Sequence, residues 1–354
     1  MAGIVKRAAR HAAALLATRS PLWPIVPRGG ALVLRYHRVR KCAMGSAECG
    51  IPLAVEAEEF DAQLAFLESR CQVVTAGELA ASVAEGKPLP QNAVAITFDD
   101  GYADNHSLAL PLLARHGLRA AFFVTAGWIG TEKVLWWDRI HDYVRQAAEL
   151  GAQPLDYAEL PRPVAAALAA ADLRTAAGAA RLEHELVKAM SSLPLTPEAA
   201  DNLAERIAAS LGADVAAPEP YRPMTWNQVR DLKAAGMEVG AHSMSHARLV
   251  HVPPERAYEE LAQSKQLIEK ELGAEVPLLA YPAGNHNQDV VDLAREAGYA
   301  AAFTTASGAV RPGSDPFRLP RVGVGAGGYR GTLSLFSSAV FGLQLGRLAR
   351  RREE

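Results

Sequence analysis

The sequence predicts an α/β fold built on a parallel sheet, either open or closed into a barrel. Short apolar, β-prone runs alternate with segments whose apolar residues are three and four positions apart, which is typical of parallel sheets flanked by helices. Polar clusters directly follow several of the predicted strands. The rhythm is broken once, over residues 139–220, which are rich in alanine and predicted to be a helical insertion.

The predicted elements follow one another in a regular order on both sides of the insertion. Before it come ALVLRYHRV, FDAQLAFLESR, CQVVTA, GELAASVAEG, AVAITFDDG, SLALPLLARHG and RAAFFVTAGWIG. After it come MTWNQVRDLKAAG, MEVGAHSMSH, ERAYEELAQSKQLIEKELG, VPLLAYPAGN, DVVDLAREAG, YAAAFTT and RLPRVGV. Thr225 and Gln228 have the spacing of a helix capping box. Asp104 and Asn105 are expected to hold the turn after TFDDG through local hydrogen bonds.

The composition is that of a globular chain without a global preference for nucleic acid. Of the 354 residues, 49% are hydrophobic and 21% are charged, and the net charge is −2. A sizeable core is therefore expected, and a polyanionic partner is not. The three cysteines are too few for a disulfide framework.

Three parts of the chain are distinguished by their sequence. Residues 1–30 are predicted to be a helix and a proline-rich connector, residues 31–330 the main domain with its insertion, and residues 331–354 a basic helical tail. The lysine and arginine clusters at both ends are either solvated or in contact with an anionic membrane surface. No run approaches the roughly 18 apolar residues of a spanning helix, and the run AAALLA is short for a secretory signal. We therefore expect a cytoplasmic protein, peripheral to the membrane if the basic ends bind it.

Polar side chains gather after four of the predicted strands. His37 ends the first strand, Asp99 and Asp100 follow ITF, His242 and His246 follow MEVGA, and a fourth strand ends in AYPAG. The carboxyl ends of parallel strands form one rim, and in α/β folds that rim carries the functional site. We expect these residues to be neighbours in space.

The histidine and aspartate pairs have the chemistry of a metal centre. His242 and His246 are four residues apart, which puts both imidazoles on one face if the backbone turns helically. Two histidines and one carboxylate are common ligands of zinc and other divalent ions. Successive strand residues point to opposite sides, so one of Asp99 and Asp100 can bind the ion while the other stays beside an open coordination position. A bound cation also offsets the repulsion between the two carboxylates.

The two motifs together resemble those of a known family. TFDDG followed by HSMSH is similar to the first two motifs of the polysaccharide deacetylases, carbohydrate esterase family 4 with its NodB homology domain. The resemblance spans roughly residues 31–325 and covers residues 139–220 poorly. It implies a distorted (β/α) barrel with fewer than eight strands. It also implies metal-dependent removal of N-acetyl groups from amino sugars in glycans.

The resemblance assigns roles to individual residues. Asp99 resembles the catalytic base of the family, and Asp100, His242 and His246 resemble its metal ligands. The implied cofactor is a divalent ion, with zinc expected first and cobalt or nickel as alternatives.

Two further motifs depart from the common form of the family. LAYPAG has Ala280 where the family has an arginine that orients the base, and Arg321 in the LPR stretch is expected to serve instead. Alignment on the proline and glycine of the same motif makes the backbone N–H of Ala283 the oxyanion donor. The late segment that supplies the general acid is missing. YHRV resembles the poly-N-acetylglucosamine deacetylase branch, in which the motif order is permuted, and this makes His37 the acid.

The resulting hypothesis is a metal-dependent polysaccharide N-deacetylase acting on a bacterial surface glycan. A cytoplasmic location would imply a lipid-linked or nucleotide-linked precursor as its substrate. An O-acetyl esterase or a small cyclic-amide amidohydrolase could use the same site, and a non-catalytic glycan-binding module is an alternative from another class. The expected partner is an N-acetylated glycan, no nucleic acid is expected, and the oligomeric state is left open.

Overall fold

A computed structural model describes Val26 and residues 29–41, 53–214, 221–325, Tyr329 and 336–350. The predicted helix and connector of residues 1–30 lie almost wholly outside the described residues. Among the described residues, no helix has both the length and the apolar character needed to cross a membrane.

The chain divides into two compact units, and each is described by itself. The first comprises residues 1–129, 224–250 and 254–354, and the second comprises residues 130–223 and 251–253. The first contains the strands and the predicted site residues. The second contains most of the predicted helical insertion.

The first unit is built on an eight-stranded parallel sheet. The strands of the described chain are β1 Ala31–Tyr36, β2 Arg38–Arg40, β3 Ala54–Glu56, β4 Gln72–Val73, β5 Ala93–Phe98, β6 Ala121–Val124, β7 Glu238–Ala241, β8 Leu278–Ala280, β9 Ala301–Phe303 and β10 Val322–Gly323. The order in the sheet is β10-β1-β5-β6-β7-β8-β9, with β4 beside the start of β5, while β2 and β3 pair separately. The longest pairing joins β1 to β5, from Ala31 opposite Ala93 to Tyr36 opposite Phe98.

The two ends of this strand order meet in the segment that leads into β10. Leu319 donates its N–H to Ala302 of β9, and Val324 donates its N–H to Arg35 of β1. The stretch from Leu319 to Val324, which contains β10, therefore bonds to β9 before this strand and to β1 after it. The sheet curls into a distorted barrel, and the prediction of a (β/α) barrel is confirmed.

Small and aromatic side chains fill the barrel interior. Ala31, Val33 and their counterparts on the neighbouring strands are fully buried, and the rings of Phe123 and Phe303 lie 5.3 Å apart among them. A Cβ on Gly240 of β7 would lie 2.5 Å from Cδ1 of Phe123, so only glycine leaves room for that ring. This packed layer supports the polar residues at the strand ends above it.

Along the first unit, helices alternate with the strands as predicted, and the described helices of both units are named here in chain order. They are α1 Ala57–Arg70, α2 Ala76–Ala84, a π-helix Asn105–Ala109, α3 Leu110–Arg115, α4 Trp136–Glu149, α5 Arg162–Ala169, α6 Ala176–Ser191, α7 Pro197–Leu211, α8 Trp226–Ala234, a 3₁₀ turn Leu249–His251, α9 Pro254–Leu272, a 3₁₀ turn Pro282–Gly284, α10 Gln288–Glu296 and α11 Ser338–Leu348. Thr225 and Gln228 form the predicted capping box at the start of α8.

The second unit consists of helices α4 to α7 around a core of its own. Ile140, Val144, Leu186 and Ile207 are among its buried residues. It contains no strand among its described residues, which explains why the periodicity of the sequence changes here.

Candidate active site

The site residues of the first unit lie at the carboxyl ends of its parallel strands. His37 follows β1, Asp99 and Asp100 follow β5, and His242 follows β7. Asp99, Asp100 and His242 are almost fully buried, whereas His37 and His246 are half-buried.

Asp100, His242 and His246 form a compact set of metal-ligating atoms. Oδ1 of Asp100 lies 3.5 Å from Nε2 of His242 and 3.5 Å from Nε2 of His246. The three ligand atoms all lie within 4.8 Å of one another, and they are the one such group among the described residues. Two atoms bound at about 2.1 Å in a tetrahedral arrangement are about 3.4 Å apart, so this spacing fits a divalent ion.

The two histidines are held in the state that binds a metal. Nδ1 of His242 lies 2.7 Å from the carbonyl oxygen of Ala280, so it carries the proton that this oxygen accepts and leaves the Nε2 lone pair facing Asp100. Burial lowers the pKa of His242 and lowers that of His246 further. Both rings are therefore neutral at pH 7, as metal ligation requires.

The turn after β5 explains how adjacent aspartates separate. Asp100 has φ 75° and Gly101 has φ 100°, so the chain reverses in the left-handed region directly after Asp99. A Cβ on Gly101 would lie 2.8 Å from Cδ1 of Ile129, which restricts this position to glycine. Asp100 points to the histidines, while Asp99 meets a different partner.

Arg321 holds Asp99 through a two-point contact. Nη1 and Nη2 of Arg321 donate to the two carboxylate oxygens of Asp99 at 2.6 and 2.7 Å, and Nε donates to the carbonyl of Thr304 at 2.9 Å. Arg321 is completely buried. Burial alone would raise the pKa of Asp99, but the charge of Arg321 and its hydrogen bonds lower that pKa well below its usual range.

The loop between His242 and His246 is not helical, so the helical turn that would put both imidazoles on one face is not what brings them together. Ser243 and His246 have φ 62° and 58°, and the loop is held from outside by Glu260 of α9. The buried Glu260 carboxylate accepts the N–H groups of Met244 and Ser245 at 3.0 and 2.8 Å and the Ser245 hydroxyl at 2.5 Å. This anchor was not expected from the sequence, because a glutamate on a helix with many charged residues carries no distinctive signal.

We expect Glu260→Gln to weaken metal binding by about 10- to 100-fold, as is typical when the outer support of a ligand is removed. The amide oxygen of glutamine can still accept the two N–H groups, but it lacks the negative charge that strengthens those bonds and that pairs with Arg256. The measurement is the zinc dissociation constant by competition with a chromophoric chelator. Glu259→Gln, one position earlier and exposed, is the matched control. An unchanged zinc affinity in Glu260→Gln would show that the loop holds itself.

Comparison with known proteins decides the family. A family model described as polysaccharide deacetylase matches residues 86–191 and 200–302, which is more than half of the chain. The chain belongs to the polysaccharide deacetylase family. The match includes most of the helical insertion, so the expectation that the resemblance covers residues 139–220 poorly was wrong.

Several relatives of this deacetylase have been described or solved. The Bacillus subtilis protein YxkH, provisionally assigned as a polysaccharide deacetylase, is 21% identical over 296 residues, covering 83% of this chain and 71% of its own. The poly-β-1,6-N-acetyl-D-glucosamine N-deacetylase of Escherichia coli K12 is 28% identical over 106 residues, which are 30% of this chain and 15% of that protein.

Two solved structures share the fold of this deacetylase. The Streptococcus pyogenes deacetylase PplD, solved with acetate, has a TM-score of 0.54 at 17% identity and covers 84% of this chain and 93% of its own. IcaB from Ammonifex degensii has a TM-score of 0.53 at 21% identity, and the match covers 84% of this chain and 92% of the IcaB chain. Members of this family are hydrolases of carbon–nitrogen bonds, and their substrates are glycans.

His37 lies at the same rim of the deacetylase, and its backbone is tied to the turn after β5. Asn105 donates its side-chain N–H to the carbonyl of His37 at 2.8 Å, and Asp104 accepts from the backbone of Val39 and from Arg38. The expected local bond is present as well, since Asn105 also donates to Oδ1 of Asp104 at 3.2 Å. Burial, followed by the charge of Arg35, lowers the pKa of His37 to about 3, so its ring is neutral at pH 7.

Ala283 lies in the turn after β8, in the left-handed conformation at φ 54°. It is exposed, and its carbonyl accepts the Thr305 hydroxyl at 3.2 Å. A Cβ on the next residue, Gly284, would lie 2.1 Å from Oγ1 of Thr305, so the turn requires glycine there. The role of the Ala283 N–H as oxyanion donor stays a prediction.

Proposed function

We propose that this deacetylase is a metal-dependent N-deacetylase that hydrolyses N-acetyl groups of amino sugars in a bacterial surface glycan or its precursor. The observation that carries the proposal is the Asp100–His242–His246 set beside a separate, ionised Asp99 that Arg321 holds in place. A metal set with an adjacent free carboxylate suits hydrolysis by an activated water. The local similarity to the Escherichia coli enzyme, whose name specifies N-acetylglucosamine, supports an amino sugar as substrate.

The donor set indicates which cofactor it would hold. Two neutral imidazoles and one carboxylate suit zinc best, and cobalt and nickel accept the same ligands. When bound by such a set, a divalent ion lowers the pKa of coordinated water to about 7 and polarises the acetamide carbonyl.

The protein's own residues then divide the proton transfers. Asp99 accepts the proton of the attacking water, and Arg321 keeps its carboxylate ionised and correctly oriented. The Ala283 N–H donates to the developing oxyanion. His37 protonates the leaving amine, and because its ring is neutral before the reaction, it has to receive that proton during turnover.

The decisive measurement is acetate release from N-acetylglucosamine oligomers with zinc, with cobalt and with EDTA. We expect release that depends on the metal. No release from any glycan, in protein shown to hold one metal ion, would contradict the proposal and favour an esterase or a small-amide hydrolase.

His37→Gln should lower kcat by roughly 10²- to 10⁴-fold, the usual contribution of a general acid, with zinc content unchanged. The matched control is His116→Gln, because His116 bonds to Asp61 and Glu68 at the opposite end of the barrel. An activity of His37→Gln within a factor of about three of the parent would remove His37 from the reaction.

A further inference from the structure

Arg35 is a second arginine near the metal ligands, and the proposed reaction gives it no role. It is the fifth residue of β1, and the alternation of the strand puts it on the same face as Ala31 and Val33 inside the barrel. In the sheet it lies opposite Thr97 of β5 on one side and Gly323 of β10 on the other. It is therefore placed one layer below His37, at the mouth of the barrel.

Gly323 makes room for the Arg35 side chain. A Cβ on Gly323 would lie 3.1 Å from Nη2 of Arg35, closer than nearly all real contacts of a Cβ. The guanidinium therefore extends across β10 at a position without a side chain. It is half-buried, so one side of it remains reachable from solvent.

The described part of the chain offers this guanidinium no hydrogen-bond acceptor. Nε of Arg35 is buried without a partner there, and no carboxylate of these residues forms an ion pair with it. The nearest carboxylates have other partners: Arg321 takes both oxygens of Asp99, and Asp100 faces the two metal histidines. Burial and the like charge of Arg321 lower the pKa of Arg35, which means that the cation is poorly stabilised where it lies.

With a metal ion bound, the site would also carry a net positive charge, which attracts anions. With a divalent ion bound, two aspartates face two arginines and two added positive charges. A buried cation without a partner is costly, whereas an arginine fork that meets a carboxylate or phosphate gains charge-assisted, two-point bonds. An anionic substituent on the substrate would supply the partner that the described protein lacks.

We propose that Arg35 is an anion-binding residue of the substrate cleft, and that the natural substrate is an N-acetylated sugar carrying a carboxylate or a phosphate near its acetamido group. This inference rests on the proposed deacetylase function and specifies its substrate class. It distinguishes the site from one made for uncharged polymers of N-acetylglucosamine.

The test compares four monosaccharides that differ in the position of the charge. N-Acetylglucosamine is neutral, its 1-phosphate and 6-phosphate carry the charge at C1 and C6, and N-acetylmuramic acid carries a carboxylate through O3. Their dissociation constants are measured by calorimetry on the zinc-loaded full chain. At least one anionic sugar is expected to bind about tenfold or more tightly than the neutral one, the effect of one charge-assisted contact. Which of them binds also distinguishes a phosphate from a carboxylate.

The variants ask whether Arg35 causes that preference. In Arg35→Gln, the ratio of anionic to neutral affinity should fall to within about twofold of unity, and Arg35→Met should do the same if the glutamine variant does not fold. Lys87→Gln removes one positive charge from an exposed residue near the amino end of β5 and should keep the wild-type ratio. Because each ratio is taken within one variant, a general loss of affinity does not alter it.

Two results would overturn the inference. The first is that all three anionic sugars bind the wild-type protein within about twofold of the neutral sugar. The second is that the preference survives unchanged without Arg35, which would assign it to the metal. Acetate release is assayed on neutral oligomers and on the three anionic sugars, and release from any of them supports the deacetylase function whatever the affinity ratio is, so failure of the inference and failure of the function are distinguishable.

Discussion

Asp99→Asn should reduce acetate release by roughly 10²- to 10⁴-fold while the protein still binds its metal. Asparagine has the shape of aspartate but cannot accept a proton from the attacking water. Asp99 is not among the metal-ligating set, so its replacement should leave zinc affinity nearly unchanged. The measurements are kcat on N-acetylglucosamine oligomers and the zinc dissociation constant of the same preparation.

The same substitution should also lower the free energy of unfolding, because it leaves the Arg321 guanidinium buried without its counter-charge. Breaking a buried ion pair from one side costs about 3–5 kcal/mol. Arg321→Met combined with Asp99→Asn removes both charges and should recover much of that stability without recovering activity. Thermal unfolding of the single and double variants separates the two effects.

A different pattern would reassign the base. If Asp99→Asn kept activity within about tenfold of the parent, Asp99 would not be the proton acceptor. If the double variant regained activity together with stability, the loss in the single variant would be a folding effect.

His246→Ala should weaken zinc binding by more than about 100-fold and abolish metal-dependent acetate release, because losing a ligand exceeds the 10- to 100-fold effect of losing an outer support. His246 supplies one of the three ligand atoms, and the two that remain, from Asp100 and His242, are too few to hold the ion tightly. Zinc affinity is measured by chelator competition, and activity is measured after EDTA treatment and return of zinc or cobalt.

The control for this variant is His184→Ala, which removes an exposed histidine from α6. It should bind zinc and release acetate as the parent does. Retention of one tightly bound zinc ion by His246→Ala would show that the ion is held by a different set of residues, and would remove the main support for the proposed function.

Predicting the site from the sequence worked where a signal is local. The β-prone runs mark strand ends, and parallel strands bring those ends to one rim, so Asp99, Asp100 and His242 were expected together before any coordinates. The TFDDG turn also has a local reason, since the left-handed conformation at Gly101 follows from chain reversal at the end of a buried strand.

Arg321 shows where local signals end. It is 222 positions from Asp99 in the chain, and the two meet only because the segment before β10 closes the barrel between β9 and β1. The sequence suggested Arg321 as a substitute for the missing motif arginine, but the two-point contact and the complete burial of the pair are properties of that closure.

Glu260 and Arg35 had no signal that distinguished them from other charged residues. Glu260 lies on a helix with many charged residues. Its role depends on the two N–H groups that it accepts from the loop after β7. Arg35 lies in an otherwise apolar strand. Its proposed role depends on the space beside Gly323 and on the fact that the nearby carboxylates already have partners.

The sequence by itself determined the parallel α/β architecture, the family and the candidates for the metal ligands and the base. Hydrophobic periodicity and strand-end motifs depend only on residues that are close together in the chain, so they can be recognised without a structure. The tertiary structure alone decided that the HSMSH loop is held by Glu260 rather than by a helical turn, that Arg321 meets Asp99, and that the described chain leaves Arg35 without a counter-charge. These features depend on how a curled sheet brings distant segments together, and no local pattern carries that information.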